Sequence, residues 1–418
     1  MKIAIITLGC RINQAESSQM GQFLQNSGHQ IVEISEKPDI CVINTCAVTA
    51  RATSQSKQLV NKALNGNAKV IVTGCYVELD KDELKKNSRI EIVGNSQKSN
   101  IVNMIPASTL SVQSGPHSAF RNRPIIKVQV GCNSSCSYCV IPLARGRSKS
   151  VPIDEILNEA KCYESLNYKE IVLSGIHLGM YGLDFSPRVS LSTLIKNLLK
   201  NTNIPRIRLS SLEISEIDNE LLELLLDERM CNHLHVPLQS GDDNILKLMN
   251  RTYKSKDYIS KVLKVKEVLP DMAIGADIIA GFPGEGQKEF HNTKSVIECL
   301  DFSYLHVFPY SSRPGTKALK MPGHVPDPVK KERVKILREL GMDLKIKYIR
   351  GHIDKTLDII VENESGEGVF GTTRNYIKVH LGHIGGIEEG MLVNARISGH
   401  KKDIATGTLV TDPQPLHL

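Results

Sequence analysis

A chain of 418 residues with ten cysteines, no tryptophan and a formal net charge of +7 is long enough for two or three domains with substantial cores. Its longest apolar runs, such as Ile3 to Ile6 and Ile278 to Ala280, fall far short of the ~20 residues a membrane span needs. No membrane segment and a cytoplasmic location are expected, where ten thiols point to metal or redox chemistry and not to a disulfide framework.

The opening "MKIAIITLGC" imitates a lipoprotein signal, but its apolar run is shorter than the roughly 7–15 residues of a signal core, so it reads as a first strand. Residues 1–105 then alternate short apolar runs with helical stretches: "DICVINTC", a helix from about Arg51, "KVIVTGC" and "IEIVGN". That alternation predicts an α/β domain with a parallel sheet and crossover helices. Cys10, Cys46 and Cys75 each follow one of these strand runs, and strand ends of a parallel sheet gather at one edge. Three cysteines spread over 65 positions are therefore expected to converge.

The polar segment 106–124, "PASTLSVQSGPHSAFRNRP", reads as a linker. Beyond it six strand–helix units recur, with strands near 125–130, 169–174, 205–210, 232–237, 272–280 and 302–308. Six parallel units predict an incomplete (βα)6 barrel with its site in the loops after the strands. A basic helix over 326–350 and Gly-separated β runs in 351–412 complete the chain, the latter as a small β-barrel. The expected domains are 1–110, 118–348 and 349–412.

The loop after the first barrel strand, "VGCNSSCSYCVIP", carries Cys132, Cys136 and Cys139 with no fourth ligand nearby. A structural zinc site normally has four protein ligands, and a cluster of ordinary buried thiols does not suit so polar a stretch. Thiolates at such spacing suit a 4Fe–4S cluster, and three of them leave one iron open to a substrate or cofactor. Cys41, Cys162, Cys231 and Cys299 lie within apolar or helical runs and read as structural.

The spacing of "CNSSCSYC" is that of radical S-adenosylmethionine (SAM) enzymes; with "TLGCRINQAES", "INTCAVT" and "VTGC" the chain resembles the tRNA methylthiotransferases of the MtaB type. The resemblance runs over nearly the whole chain and includes a C-terminal TRAM-like RNA-binding domain. It implies that Cys132, Cys136 and Cys139 hold a cluster whose open iron binds SAM, yielding a 5′-deoxyadenosyl radical. It also implies that Cys10, Cys46 and Cys75 hold a second 4Fe–4S cluster that carries the sulfur. The implied substrate is tRNA bearing N6-threonylcarbamoyladenosine at position 37, methylthiolated at C2. Adenosine C2 is neither acidic nor a good electrophile, so cofactors must supply the hard chemistry.

Other segments fall where SAM and substrate are then expected. Gly175 in "LSGIHLGMYG" would let backbone approach a ligand, or serve an ordinary turn. Glu213 in "SSLE" would meet a ribose hydroxyl or the SAM ammonium, or act as a helix-entry acid. On "CNHLHVPLQSG", Cys231, His233 and His235 share a face that suggests a metal triad, but two barrel-lining histidines are the preferred reading, with Gln239 and Ser240 as polar contacts to SAM. "DIIAGFPGEGQK" fails as a P-loop, since no Gly-Lys-Ser/Thr follows, and Gly281 and Gly284 are read as shaping a SAM-contacting turn. Tyr138 is placed near cluster or adenine, and Arg145 near substrate phosphate or carboxylate, with packing or solvated side chains as the alternative for both.

Phosphate-neutralising charge is expected from 317–350, with ten Lys/Arg against four Asp/Glu, and from 116–150, with six Lys/Arg and no acid. The tail from Lys345 balances nine Lys/Arg with nine Asp/Glu, so its contact strand is placed at "GTTRNYIKVH", where Arg374, Tyr376 and Lys378 would alternate onto one face. Competing readings are an enzyme of isopentenylated adenosine 37 (the MiaB type), a ribosomal-protein methylthiotransferase, and a noncatalytic metal-stabilised RNA-binding module. The sulfur source and the electron donor leave no mark on the sequence.

Overall fold

In the first hundred residues the apolar runs become β1 (Lys2–Thr7), β2 (Gln30–Ile31), β3 (Ile40–Thr45), β4 (Lys69–Gly74) and β5 (Ile90–Ile92). They form one parallel sheet in the order β2-β1-β3-β4-β5. Side chains alternate across it: Ile3, Ile40, Val42 and Ile71 pack with Met20 and Leu24 on one face, while Ala4, Cys41, Ile43, Val70 and Val72 pack with Val60 and Ala63 on the other. Burial on both faces is why β3 and β4 read as continuous apolar runs. The computed structural model describes residues 1–106, 122–366 and 368–410; most of the segment read as a linker, 107–121, lies outside the described residues.

The six expected central strands follow: β6 (Ile125–Val130), then, after an antiparallel edge strand β7 (Lys149–Ser150), β8 (Glu170–Gly175), β9 (Arg206–Leu209), β10 (His233–His235), β11 (Ala273–Ala280) and β12 (Tyr304–Pro309). Parallel ladders join β6-β8-β9 and β10-β11-β12. The halves meet where Ile207 N–H donates to Arg229 O at 2.7 Å and Cys231 N–H donates to Ile207 O at 2.9 Å. Among the described residues no ladder joins β6 to β12, so the barrel is open on that side. The helix Arg11–Asn26 of the N-terminal sheet lies against the β6 edge, packing Ala15 on Ile125 and Val172.

The basic helix spans Asp327–Arg350 and joins the barrel core through Val334, Leu337 and Leu344. Much of its charge is neutralised within the chain: Arg333 pairs with Glu285 at 2.7 Å, Lys345 with Asp403 at 2.7 Å and Lys347 with Asp301 at 2.9 Å. A closed barrel of β13 (Thr356–Ser365), β14 (Gly368–Thr373), β15 (Lys378–Gly382), β16 (Leu392–Lys401) and β17 (Ile404–Leu409) follows, built around Ile359, Val369, Val379, Ala395 and Ile397. No helix of the described residues is long and apolar enough to cross a membrane.

The C-terminal barrel corrects one expectation. Residues 374–377 form the turn between β14 and β15, with Tyr376 at a φ of 66°, so Arg374, Tyr376 and Lys378 do not share a strand face. The turn seals the N-terminal end of the central barrel. There Glu170, fully buried, pairs with Arg206 at 2.7 Å and Arg208 at 2.6 Å, and Arg208 donates to Thr373 O and Arg374 O, each at 3.1 Å. Desolvation would raise the Glu170 carboxyl, but the two guanidiniums hold it well below the carboxylate range. Arg374 is spent on Asp358, at 3.0 Å, and on Glu228 O; Lys378 alone is exposed, its ammonium over the Phe370 ring.

Candidate functional site

Cys132, Cys136 and Cys139 lie on the loop leaving β6, all free and partly exposed. The loop is pinned from outside: Ser137 N–H donates to Met249 O at 3.0 Å, and Ala318 N–H donates to Ser137 O at 2.8 Å. Each sulfur faces a donor or cation. Ser134 N–H points at Cys132 Sγ from 3.3 Å, with His177 Nδ1 also at 3.3 Å; Arg251 Nη1 is 3.4 Å from Cys136 Sγ, and Ile141 N is 3.5 Å from Cys139 Sγ. Burial disfavours the Cys132 thiolate, but bonds from His177 and Ser134 bring its pKa below the ordinary value.

His177 and Arg251 are held from behind by the turn after β9. His177 Nε2 pairs with Glu216 Oε1, and Arg251 Nη2 with Glu213 Oε2. The turn is a capping box in which Glu213 N–H donates to Glu216 Oε2 at 2.9 Å. Burial opposes the charged ring of His177, yet Cys132 and Glu216 raise its pKa to about 10. Glu213 thus stands at the expected strand end, engaged by Arg251. His177, Glu216 and Arg251 were not singled out from the sequence; His177 sits in the quoted "SGIHLG", two residues past β8, where strand-end loops build sites.

The second set is assembled by topology. Cys10, Cys46 and Cys75 follow β1, β3 and β4, three adjacent parallel strands. Gly9, at a φ of 101°, comes so near Cys46 that an added Cβ would stand 2.7 Å from its Cβ and 2.8 Å from its Sγ. Gly74, at a φ of 100°, presses on Thr45 in the same way, 2.3 Å from its carbonyl oxygen. Burial pushes the Cys46 thiol up to about 11 and raises Cys75 as well, while Cys10 is exposed. Two buried soft ligands and one open one, all reduced, suit a bound metal cluster that displaces their protons.

Arg145 belongs here and not on an outer surface. It ends the short helix Ile141–Arg145, its side chain is 3% exposed, and it reaches the N-terminal domain to pair with Glu16 at 3.1 Å and to bond Asn13. Its charge and a hydrogen bond also act on Cys75. Lys98 pairs with the same Glu16 at 2.6 Å. Desolvation alone would raise Glu16, but Lys98 and Arg145 bring it down to about 2.

A cavity of about 1760 Å³ runs from Cys10, Cys46 and Cys75 past Gly175 and Ser210 into the barrel lumen, reaching Tyr376 and Met391 of the C-terminal barrel. Gly175 lines it, with Gln129 Oε1 2.9 Å from where a Cβ would stand. His233 and His235 are both buried toward the lumen and share the Tyr304 hydroxyl, at 2.8 and 2.9 Å; Cys231 instead approaches Glu170 at 3.7 Å. Tyr138 packs edge-on against Phe282, 6.3 Å between centroids. Gln239 takes a φ of 63° and bridges β11 through its backbone. Gly281 shapes a turn at a φ of 75°, its outer side covered by the Lys330 stem.

Comparison with known proteins agrees with this architecture. The model of the Uncharacterized protein family UPF0004 matches residues 2–94, and that of the Radical SAM superfamily matches 126–297. Threonylcarbamoyladenosine tRNA methylthiotransferase MtaB of Aquifex aeolicus is 36% identical over 400 residues, covering 91% of this chain and 96% of its own. The tRNA-2-methylthio-N(6)-dimethylallyladenosine synthase of Fervidobacterium nodosum is more distant, 29% identical over 390 residues, 88% of this chain and 90% of its own. In fold, the chain is similar to the radical SAM methyltransferase TsrM of Kitasatospora setae, with a TM-score of 0.56 over 76% of both chains at 13% identity. The chain belongs to the MtaB-type family of radical SAM tRNA methylthiotransferases.

Proposed function

We propose that the protein methylthiolates C2 of N6-threonylcarbamoyladenosine at position 37 of tRNA. The observation that carries the reading is the continuous cavity, with three cysteines of one domain at one end and the strand ends of the radical SAM barrel along its side. Membership of the superfamily implies SAM and a 4Fe–4S cluster. Cys132, Cys136 and Cys139 would hold that cluster, and Cys10, Cys46 and Cys75 a second one. When bound, these groups supply the radical that removes hydrogen from C2 and the sulfur that replaces it.

The chain's own residues prepare the site. His177 and Arg251 place positive charge against Cys132 and Cys136, offsetting the negative charge that thiolates bring to a partly buried loop. Glu213 and Glu216 fix those cations in place. Gly175 lets Gln129 and the Leu178 backbone pack against the end of β8, and Tyr138, Gln239 and Gly281 are the residues that would meet SAM. Three domains at about 1–110, 118–348 and 349–412 divide the work, the last contributing Lys378 and the outer face of its barrel to tRNA.

The test is mass spectrometry of nucleosides from tRNA incubated anaerobically with reconstituted protein, SAM and a reductant, with threonylcarbamoylated and isopentenylated tRNA side by side. Methylthio product from the former only is expected. Product from isopentenylated tRNA alone would reassign the substrate, and product from neither would overturn the reading.

A further inference from the structure

Most charged groups lining the cavity have partners. Arg123 pairs with Glu362 and, at 3.5 Å, with Glu170; Asp277 lies between His235 at 2.9 Å and His306 at 3.3 Å. Lys169 bonds Asn167 beside exposed Leu166. Arg11 differs. It directly follows Cys10, is half-buried, and among the described residues has no carboxylate partner; its Nη2 donates to the Tyr376 hydroxyl at 3.2 Å. Its charge reaches the lumen, where it acts on His233 and Tyr304.

Two further observations mark the same place. Tyr376 is held at a φ of 66°, a strained conformation for a non-glycine residue, and is fixed there by the His233 ring at 4.3 Å and the Arg208 guanidinium at 5.3 Å. Gln14, one turn along the helix from Arg11, also lines the cavity, and its buried Oε1 has no hydrogen-bond partner. A lone guanidinium, a phenol and an unsatisfied amide, brought together from two domains, are polar groups left for a ligand.

We infer that Arg11 and Tyr376 form a subsite for the carboxylate on the N6 substituent of the substrate base. The inference rests on the proposed function and deepens it. In adenine, C2 and N6 flank N1 on the pairing edge, whereas ribose and phosphates leave from N9. A base presenting C2 toward Cys10, Cys46 and Cys75 therefore turns its N6 substituent toward the same rim, where Arg11 stands. The threonylcarbamoyl group ends in a carboxylate, which a guanidinium binds through charge-assisted hydrogen bonds. The isopentenyl group has no charge and would cover Arg11 without giving it a carboxylate partner, so the subsite also discriminates.

The experiment compares an anticodon stem-loop carrying threonylcarbamoyladenosine with its methyl ester, using protein reconstituted with both clusters and reading kcat/KM for methylthio product. Wild type is expected to prefer the acid by roughly tenfold or more. Arg11→Gln should narrow the acid-to-ester ratio to about one, with Arg11→Lys in between. Should Arg11→Gln lose iron, Tyr376→Phe, which leaves the neighbour of Cys10 intact, carries the same readout and is expected to reduce the ratio. Retained preference in these variants, or equal loss on acid and ester as a phosphate contact would give, overturns the inference. A wild type that uses acid and ester equally overturns it alone, whereas one that methylthiolates neither sinks the proposed function as well.

Discussion

The two cysteine triplets reach similar ends by opposite routes. Cys132, Cys136 and Cys139 share one loop whose spacing is fixed by covalent connection, and the fold adds only the cations His177 and Arg251. Cys10, Cys46 and Cys75 are spread over 65 positions and meet only because β1, β3 and β4 are neighbours in a parallel sheet. The first triplet would keep its thiols close in an unfolded chain; the second comes together only when the sheet is formed. A local motif tolerates imprecision around it, whereas an assembled one depends on every close approach that brings its strands together.

The sharpest way to separate the two is to remove one thiol from each. Cys136→Ala is expected to abolish SAM cleavage, read as 5′-deoxyadenosine, while Cys46→Ala spares cleavage and stops methylthio product. Full methylthiolation by Cys46→Ala would remove the assembled triplet from the mechanism.

The next test adds one carbon and leaves all six cysteines. Gly9→Ala forces a Cβ to within 2.7 Å of Cys46 at a φ of 101°. Iron and sulfide content should fall to that of Cys46→Ala with SAM cleavage retained. Normal iron content would show that the assembled site yields more readily than its packing indicates.

For the local triplet the corresponding weak point is the bridge behind it. Arg251 reaches Cys136 and Glu213 together, which the single ammonium of lysine cannot reproduce. Arg251→Lys should lower SAM cleavage roughly ten- to hundredfold. A rate within twofold of wild type would make Arg251 a packing residue.

The mildest perturbation is acid. Glu16 pairs with Lys98 within the N-terminal domain and ties that domain to Arg145, and its pKa in the fold, about 2, lies below the ordinary 4.5. Its contribution, on the order of 3 kcal/mol, is complete above about pH 4.5 and is lost as the pH falls toward 2. Urea unfolding of wild type should weaken over that window, and Glu16→Gln should flatten this part of the profile.

The end of β14 and the turn after it, Thr372 to Arg374, cap the buried Arg206 and Arg208 beside Glu170, so removing the C-terminal barrel would open a charged core to water. The barrel and its cap are one structural unit.

By itself the sequence determined what depends on short-range order: the six barrel strands, the apolar runs that become β3 and β4, the three-cysteine loop after β6, and the expectation that cysteines after parallel strands converge. Spacing and apolar period carry that information directly. It could not place Arg145, Arg374 or Tyr376. Arg145 read as a contact to substrate phosphate or carboxylate and became a buried link beside Cys75; Arg374, Tyr376 and Lys378 read as one strand face until a positive φ at Tyr376 turned the chain. Nor could it mark Arg11 as the lining guanidinium without a carboxylate, since which charges find partners is decided between domains. Charge neutralisation is a long-range property, settled only when Glu16, Glu170 and Tyr376 arrive from distant parts of the chain.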